Sequence, residues 1–283
     1  MKRSKVKYIL TLAFLAVLLF FSYQIYVEAK PLQIVYLDVG QGDSILIQKG
    51  TQQILIDGGA SGKTELAKLG KYLPYFDREI DLVIATHPDR DHIGGLVEVA
   101  RNYKIGQVLE TGAEKDTEVF KEWKAVLLGN KIGIGEVWRG TEIDFDQAHI
   151  RIFNPPSKIS PAAGDTNNDS IVMRLDYGNN SFLFTGDIEA GAEKELIGSG
   201  EDLNVDFLKV AHHGSKYSSS DEFLDAASPE VAIISVGKNN PYGHPHPETL
   251  DKLNARNIKI LRTDEIGDIE YACNSKCKAL KSI

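Results

Sequence analysis

The sequence predicts a layered α/β fold, because short β-branched runs alternate with helical segments along most of its 283 residues. An apolar fraction of 42% and a charged fraction of 25% are typical of a globular protein that is large enough for a sizeable core. Residues able to bind metal or transfer protons directly follow several of the predicted strands. These observations together indicate an enzyme-like domain with its site at one edge of a sheet.

Residues 1–30 differ from the rest of the chain. Four cations at positions 2 to 7 precede a largely apolar run at residues 8–27. A basic start before an apolar segment is typical of an export signal or a single membrane anchor. Val27-Glu28-Ala29 fits a small-residue cleavage site, and about twenty apolar residues suffice to span a bilayer if the segment is not cut. We therefore expect residues 31–283 to form an extracytoplasmic domain, either secreted or anchored to the cell membrane by the apolar run.

The remaining chain alternates between strands and helices, punctuated by glycine, proline and asparagine. The polar segment Asn154–Asp169 is long enough to predict a functional loop. The predicted strands are Gln33–Val39, Ser44–Gln48, Gln52–Ile56, Ile80–Ala85, Gln107–Glu110, Glu136–Arg139, His149–Phe153, Ile171–Tyr177, Ser181–Phe184, Val205–Ala211, Val231–Val236, Ile258–Leu261 and Asp268–Ala272. The predicted helices are Lys63–Tyr72, Leu96–Asn102, Glu114–Leu128, Ile188–Gly198, Asp221–Ala227 and Pro247–Asn257.

The charge balance and the cysteine content limit the range of possible functions. Without residues 1–30 the chain holds 27 basic and 39 acidic residues. This excess of acidic residues excludes a protein that binds nucleic acid through positive surface charge alone. It does not exclude a nuclease whose phosphate contacts are made by bound metal ions. Cys273 and Cys277 are too few ligands for a zinc site, so we expect a disulfide or an idle pair with no catalytic role.

The most informative stretch is the turn that follows the predicted strand Ile80–Ala85. Four side chains able to bind metal lie there within six residues: His87, Asp89, Asp91 and His92. Imidazoles mixed with carboxylates suit zinc, manganese or iron. Residues two apart in a tight turn point the same way, so His87 and Asp89 can share one ion, while Asp91 and His92 take a second. A polar turn with a helix-capping Asp explains one carboxylate but neither histidine.

Further candidates follow other predicted strands and are expected to converge on the same edge of the sheet. They are Asp57, Asp187, His212 and His213. Asp57 either orients a metal ligand or is a turn residue bonded to its own backbone.

The turn resembles the HxHxDH signature of metallo-β-lactamase-fold hydrolases, with Asp89 where the second His usually stands. Over about Gln33–Tyr271 the chain resembles the soluble domain of the competence DNA-uptake family ComEC. The resemblance implies a metal-dependent hydrolase with a four-layer αββα metallo-β-lactamase fold. The other matching segments, in the family's order, are Leu37–Ser44, Leu55–Gly59, Phe184–Asp187 and Leu208–Ser215.

The resemblance also implies two divalent metal ions, zinc or manganese, bridged by Asp187. Many members carry a further His at a position that falls in residues 166–170, where this chain has none. The second ion then has fewer and more oxygen-rich ligands, which favours manganese or weak occupancy. The expected ligands are Asp91, His92, Asp187 and His213 for one ion, and His87, Asp89 and Asp187 for the other.

Other residues are expected to act beside the ions. Of the two adjacent histidines, His213 is expected to bind metal and His212 to transfer protons or to support a ligand, but the sequence leaves the reverse assignment open. His244 either enters the site as an acid or phosphate contact or is an ordinary loop residue. Asp43 and Asp57 are expected to orient ligands without binding the ions. The predicted catalytic residues are Asp91, His212 and His244.

Three functions remain open. The first is an exported phosphodiesterase or nuclease that acts on DNA by metal-activated water. It would work alongside DNA-uptake machinery and, if the N-terminal run is uncut, at the membrane. The second is a hydrolase of another ester, such as a phosphocholine-bearing cell-wall polymer, a lactone or a thioester. The third is a non-catalytic, metal-stabilised module of a DNA-uptake or envelope assembly. The acidic balance weakens the first against the second, and the intact ligand set argues against the third.

Overall fold

The computed structural model describes residues 2–28, 30–159 and 166–280, and within these ranges the strands form one sheet of eight strands and one of seven. The strands are β1 Leu32–Tyr36, β2 Ile45–Lys49, β3 Gln52–Ile56, β4 Glu79–Ile84, β5 Lys104–Glu110, β6 Gly133–Glu136, β7 Glu142–Phe145, β8 Ala148–Asn154, β9 Val172–Tyr177, β10 Asn180–Phe184, β11 Phe207–Lys209, β12 Val231–Ile234, β13 Lys259–Arg262, β14 Ile269–Cys273 and β15 Cys277–Ala279. The helices are α1 Lys2–Glu28, α2 Gly62–Tyr72, α3 Arg90–Asn102, α4 Glu118–Gly129, α5 Ala190–Gly198, α6 Asp221–Ala227, α7 Pro247–Ala255 and α8 Thr263–Ile266.

The two sheets pack face to face and are flanked by helices. Strand β3 shows why: Ile54 and Ile56 join the apolar cluster between the sheets, while Leu55 faces the helices, as expected for a strand buried on both faces. Outside the first sheet lie α2, α3 and α4, and outside the second lie α5, α6 and α7. The layers are therefore helix, sheet, sheet and helix, which is the α/β architecture that the sequence predicted.

The sheet topology brings distant parts of the sequence to one edge. The strand orders are β15-β14-β1-β2-β3-β4-β5-β6 and β13-β12-β11-β10-β9-β8-β7. Strands β3, β4 and β5 are parallel, and so are β10, β11 and β12. The carboxyl ends of parallel strands lie at the same edge of a sheet. The residues that follow β3, β4 and β10 meet across the two sheets, because His92 contacts both Asp57 and Asp187.

Three of the observed strands differ from the prediction. Strand β6 precedes the predicted strand Glu136–Arg139, and β7 and β15 were not predicted. Most of their residues are exposed or half-buried, so these strands lack the apolar alternation that marks a buried strand. The middle of the predicted loop Asn154–Asp169, residues 160–165, lies outside the described residues.

The sequence analysis made separate predictions for the N-terminal segment and for the cysteine pair near the C-terminus. Helix α1 exposes its described apolar side chains, including Tyr8 and Phe14. In the part of the chain that the structure describes, no helix is both long enough and apolar enough to cross a bilayer. Cys273 and Cys277 form a disulfide between β14 and β15, one of the two alternatives that the sequence left open.

Candidate metal centre

Three buried histidines converge where β4 and β11 end. His87 and His92 lie on either side of the turn into α3, and His213 follows β11. None is more than 2% exposed. The ring centroids of His87 and His92 are 4.0 Å apart, and those of His92 and His213 are 5.4 Å apart.

In each of these rings one nitrogen makes a hydrogen bond and the other makes none. The Nδ1 atoms lie 2.8–3.1 Å from Thr86 Oγ1 for His87, Asp57 Oδ2 for His92 and the Ser235 carbonyl oxygen for His213. The three Nε2 atoms are buried and make no hydrogen bond with any described residue. A buried nitrogen without a hydrogen bond is costly, and a His whose Nδ1 is fixed while its Nε2 makes no hydrogen bond has the usual form of a metal ligand. The residues therefore fit a divalent metal.

Two carboxylates complete the cluster. Asp187, 3% exposed, directs Oδ2 at the Nε2 atoms of His92 and His213, at 3.2 and 3.3 Å. Asp91 Oδ2 lies 3.5 Å from His213 Nε2. His87, His92 and Asp187 offer ligand atoms within 4.8 Å of one another, and so do Asp91, His92 and His213. The structure thus brings five of the six predicted ligands together, with His92 in both groups.

Asp89, the sixth predicted ligand, lies in neither group. Its carboxylate accepts hydrogen bonds from Lys115 Nζ at 2.6 and 2.7 Å and from Thr166 Oγ1 at 3.0 Å. An ammonium group already neutralises this carboxylate, so a second cation must displace Lys115 to use it. The structure does not bring Asp89 and His87 into one ligand group, which is where the predicted two-ion division differs from the observed geometry.

Asp57 and Asp43 lie behind the histidines. Asp57 is fully buried, and its two oxygens accept from the Thr86 amide at 2.8 Å and from Thr86 Oγ1 at 2.7 Å. Its contact with His92 favours the ligand-orienting interpretation over that of a simple turn residue. Asp43, 2% exposed, lies 3.5 Å from His213 Nδ1 and 3.8 Å from His92 Nδ1.

Lys209 is a buried charge that the sequence analysis did not single out. It is 1% exposed, pairs with Asp43 Oδ2, and lies 3.6 Å from Asp187 Oδ1. Its Nζ donates to the Gly186 carbonyl at 2.9 Å. The sequence did contain a signal for this residue: Lys209 stands between two apolar residues of a predicted strand that ends at a histidine pair. A lysine buried in such a strand needs carboxylates nearby to balance its charge.

The short 3-10 turn Ala211–Gly214 separates the two adjacent histidines. The backbone φ is +49° at His212 and +54° at His213, a left-handed conformation that non-glycine residues rarely adopt. His213 faces the buried cluster. His212 lies at the opening, 22% exposed, with Nδ1 3.3 Å from Glu189 Oε1 and Nε2 3.9 Å from Asp187 Oδ2. The structure therefore places His213 inside the buried cluster and His212 at its opening, beside the cavity.

Burial and the carboxylates set the protonation of the cluster. Burial, together with the charge of His92, lowers the pKa of His87 to about 4. Burial alone would also lower the pKa of His213, but Asp187 and Asp43 outweigh it and raise that pKa to about 9. The pKa of His92 is likewise raised well above its ordinary value. A bound cation replaces these protons, so metal binding is expected to release protons and to weaken in acid.

The cluster opens into a cavity of about 110 Å³ whose lining includes Asp91, Asp187, His212, Tyr242 and His244. A groove of about 590 Å³ shares Asp91 and Tyr242 with this cavity. The ring centroids of His244 and His212 are 5.5 Å apart. Burial and the neighbouring histidines lower the pKa of His244 to about 4, so at neutral pH it is an uncharged hydrogen-bonding group and not a cationic phosphate contact.

The chain is similar in sequence or in fold to several known proteins. The sequence model of the Metallo-beta-lactamase superfamily matches residues 37–238. "ComE operon protein 3" of Bacillus subtilis is 33% identical over 259 residues, which are 83% of this chain and 32% of that protein. "Competence protein ComA" of Neisseria gonorrhoeae is 31% identical over 235 residues, which are 83% of this chain and 31% of that protein. The chain therefore spans about a third of the length of these curated relatives. The solved metallo-beta-lactamase fold protein YhfI from Bacillus subtilis has a TM-score of 0.57 at 14% identity, over 82% of this chain and 96% of that one, and this likeness concerns the fold alone.

Proposed function

The chain belongs to the metallo-β-lactamase superfamily and is similar to the ComEC-like competence proteins, and from this premise we propose that it is a metal-dependent phosphodiesterase that cleaves DNA. The observation that carries the proposal is the convergence of three buried Nε2 atoms, none of which makes a hydrogen bond with a described residue, with Asp91 and Asp187 beside a cavity. Divalent cations in such a site activate water and stabilise the entering and leaving oxygens of a phosphoryl displacement.

Residues of the chain itself are placed to bind a phosphodiester and to move protons. His212 lies at the opening between Asp187 and Glu189, where a general acid or base can reach a bound substrate. His244, uncharged at neutral pH, can donate one ring N–H to a phosphate oxygen. Arg90 is exposed in the adjoining groove and adds a cation for a phosphate backbone.

The proposed substrate is supported by a relative, and the proposed location is supported by the N-terminal sequence and the disulfide. One relative is named a competence protein and is 31% identical to this chain, which favours DNA over other phosphodiesters. The cations at positions 2 to 7 before an apolar run support a domain outside the cytoplasm, and so does the disulfide Cys273–Cys277, because disulfides persist in oxidising compartments. A nuclease in that place meets incoming DNA and not the chromosome.

The test is hydrolysis of single-stranded DNA and of bis-p-nitrophenyl phosphate by the purified chain, in chelator, with manganese and with zinc. We expect both substrates to be cleaved only with metal. His213→Ala should lose activity, and the matched control His149→Ala should keep it, because His149 lies in β8 against Asp144 and outside the ligand groups.

Each result of this test has a definite meaning. Cleavage of bis-p-nitrophenyl phosphate without cleavage of DNA would redirect the proposal to another phosphodiester. Metal binding without hydrolysis of either compound would reject the phosphodiesterase.

A further inference from the structure

Lys209 places a permanent cation inside the metal centre. We propose that Lys209 is a positioning residue: its ammonium group holds Asp43 and one oxygen of Asp187, and it fills a place that a divalent cation takes when the lysine charge is removed. The inference depends on cation binding at this centre and not on the identity of the substrate.

The two oxygens of Asp187 face different cations. Oδ2 points to the Nε2 atoms of His92 and His213, at 3.2 and 3.3 Å. Oδ1 points away from them, 3.6 Å from Lys209 Nζ. A carboxylate held on one side by an ammonium group presents its other oxygen in a fixed direction. Lys209 therefore determines which oxygen of Asp187 is available to the histidine cluster.

Lys209 is itself held so that it cannot turn away. Its strand β11 pairs in parallel with β10, with Lys209 opposite Phe184, and its Nζ donates to the Gly186 carbonyl at the end of β10. The side chain is 1% exposed and is not part of the cavity lining. Lys209 has no route to a substrate in the cavity, so its influence on the centre must pass through Asp43 and Asp187.

Three residues beside this lysine already resemble a cation site. Asp43, Asp187 and His213 offer ligand atoms that lie within 4.8 Å of one another. Lys209 pairs with Asp43 and also lies within 3.6 Å of Asp187 Oδ1. A neutral side chain of similar length would leave Asp43 Oδ2 and Asp187 Oδ1 buried without their ammonium partner. Loss of that charge is strongly destabilising unless another cation replaces the lysine. Two carboxylate oxygens and an imidazole are suitable ligands for manganese or zinc.

The experiment compares the wild-type chain, Lys209→Met and the double variant Lys209→Met/Asp43→Asn. Thermal unfolding in chelator should show a Tm for Lys209→Met that is lower by roughly 10 °C. Added manganese should recover this loss, and metal analysis after dialysis should find one more ion per chain than in the wild type. The double variant, with one carboxylate charge removed along with the lysine charge, should regain most of the Tm in chelator and carry the wild-type number of ions.

The ion count separates this proposal from an ordinary structural ion pair. A purely structural lysine predicts the same loss of Tm with no change in the number of ions, and that result would overturn the proposal. If Lys209→Met does not fold, the double variant decides. A folded double variant with the wild-type ion number supports the proposal, whereas a double variant that also fails to fold refutes it, because neutralising Asp43 would then not replace the lysine charge.

Discussion

Asp57→Asn tests how the centre keeps His92 in its metal-binding form. Asp57 supplies two acceptor oxygens: Oδ1 faces the Thr86 amide at 2.8 Å, and Oδ2 faces both Thr86 Oγ1 at 2.7 Å and His92 Nδ1 at 2.8 Å. Asparagine supplies one oxygen and one NH₂ group. If the NH₂ group faces the Thr86 amide, two donors meet. If it faces His92, it requires an unprotonated Nδ1, and the ring proton moves to Nε2, where the metal must bind.

The size of the effect follows from the burial of the contacts. Asp57 and His92 are both fully buried, so water cannot replace a lost hydrogen bond. Loss of the partner that orients a metal-binding His typically weakens metal binding about 10–100-fold, which is about 1.4–2.7 kcal/mol. The free energy of unfolding should also fall by about 1.5–3 kcal/mol, because a charged acceptor is lost.

The assay is calorimetric titration of the metal-free chain with manganese and with zinc, beside urea unfolding. Asp268→Asn is a matched control: Asp268 is also buried, accepts from the Asp38 amide and from Lys68, and belongs to none of the ligand groups among the described residues. We expect both variants to lose stability and only Asp57→Asn to lose metal affinity. Unchanged metal affinity in Asp57→Asn, or an equal loss in both variants, would refute the reasoning.

Four further predictions address other parts of the molecule. Asp187→Ala should lose all bound metal, because its Oδ2 lies beside two Nε2 atoms, and metal analysis that finds the wild-type content would contradict this. Lys115→Ala should strengthen binding of a second cation, because Asp89 loses its ammonium partner, and a calorimetric titration identical to that of the wild type would exclude it. Burial raises the pKa of Glu65 from 4.5 to about 8, so between these pH values the folded chain keeps a proton that the unfolded chain has lost. Stability should therefore fall as pH rises through that window, and Glu65→Gln should flatten the fall in urea unfolding; an unchanged slope would count against it. Alkaline phosphatase fused after residue 283 should be active and a cytosolic fluorescent reporter at the same junction dark, and the reverse pattern would place the domain inside.

The parts of the fold and site that the sequence predicted are those with local signals. Strand β4 and its turn combine an apolar run with two histidines, so both the element and its chemistry are visible within a dozen residues. The convergence of Asp57 and Asp187 follows from a general rule for parallel strands. Lys115, the partner of Asp89, lies 26 residues away in the chain. Tertiary packing brings the two together, and no local sequence pattern predicts that contact. The same holds for Lys209, whose partners come from two other loops.

The two lysines suggest how the centre controls the number of its cations. Lys115 at the rim and Lys209 below the histidines each neutralise carboxylates that would otherwise attract a metal. The Nε2 atoms of the histidines have no such competitor, because no described side chain donates to them. The first ion should therefore bind at the histidines without displacing a protein cation, while any further ion must first displace a lysine. If the proposal for Lys209 holds, we expect the positions of the two lysines to limit the number of bound ions as much as the lack of a histidine in residues 166–170 does.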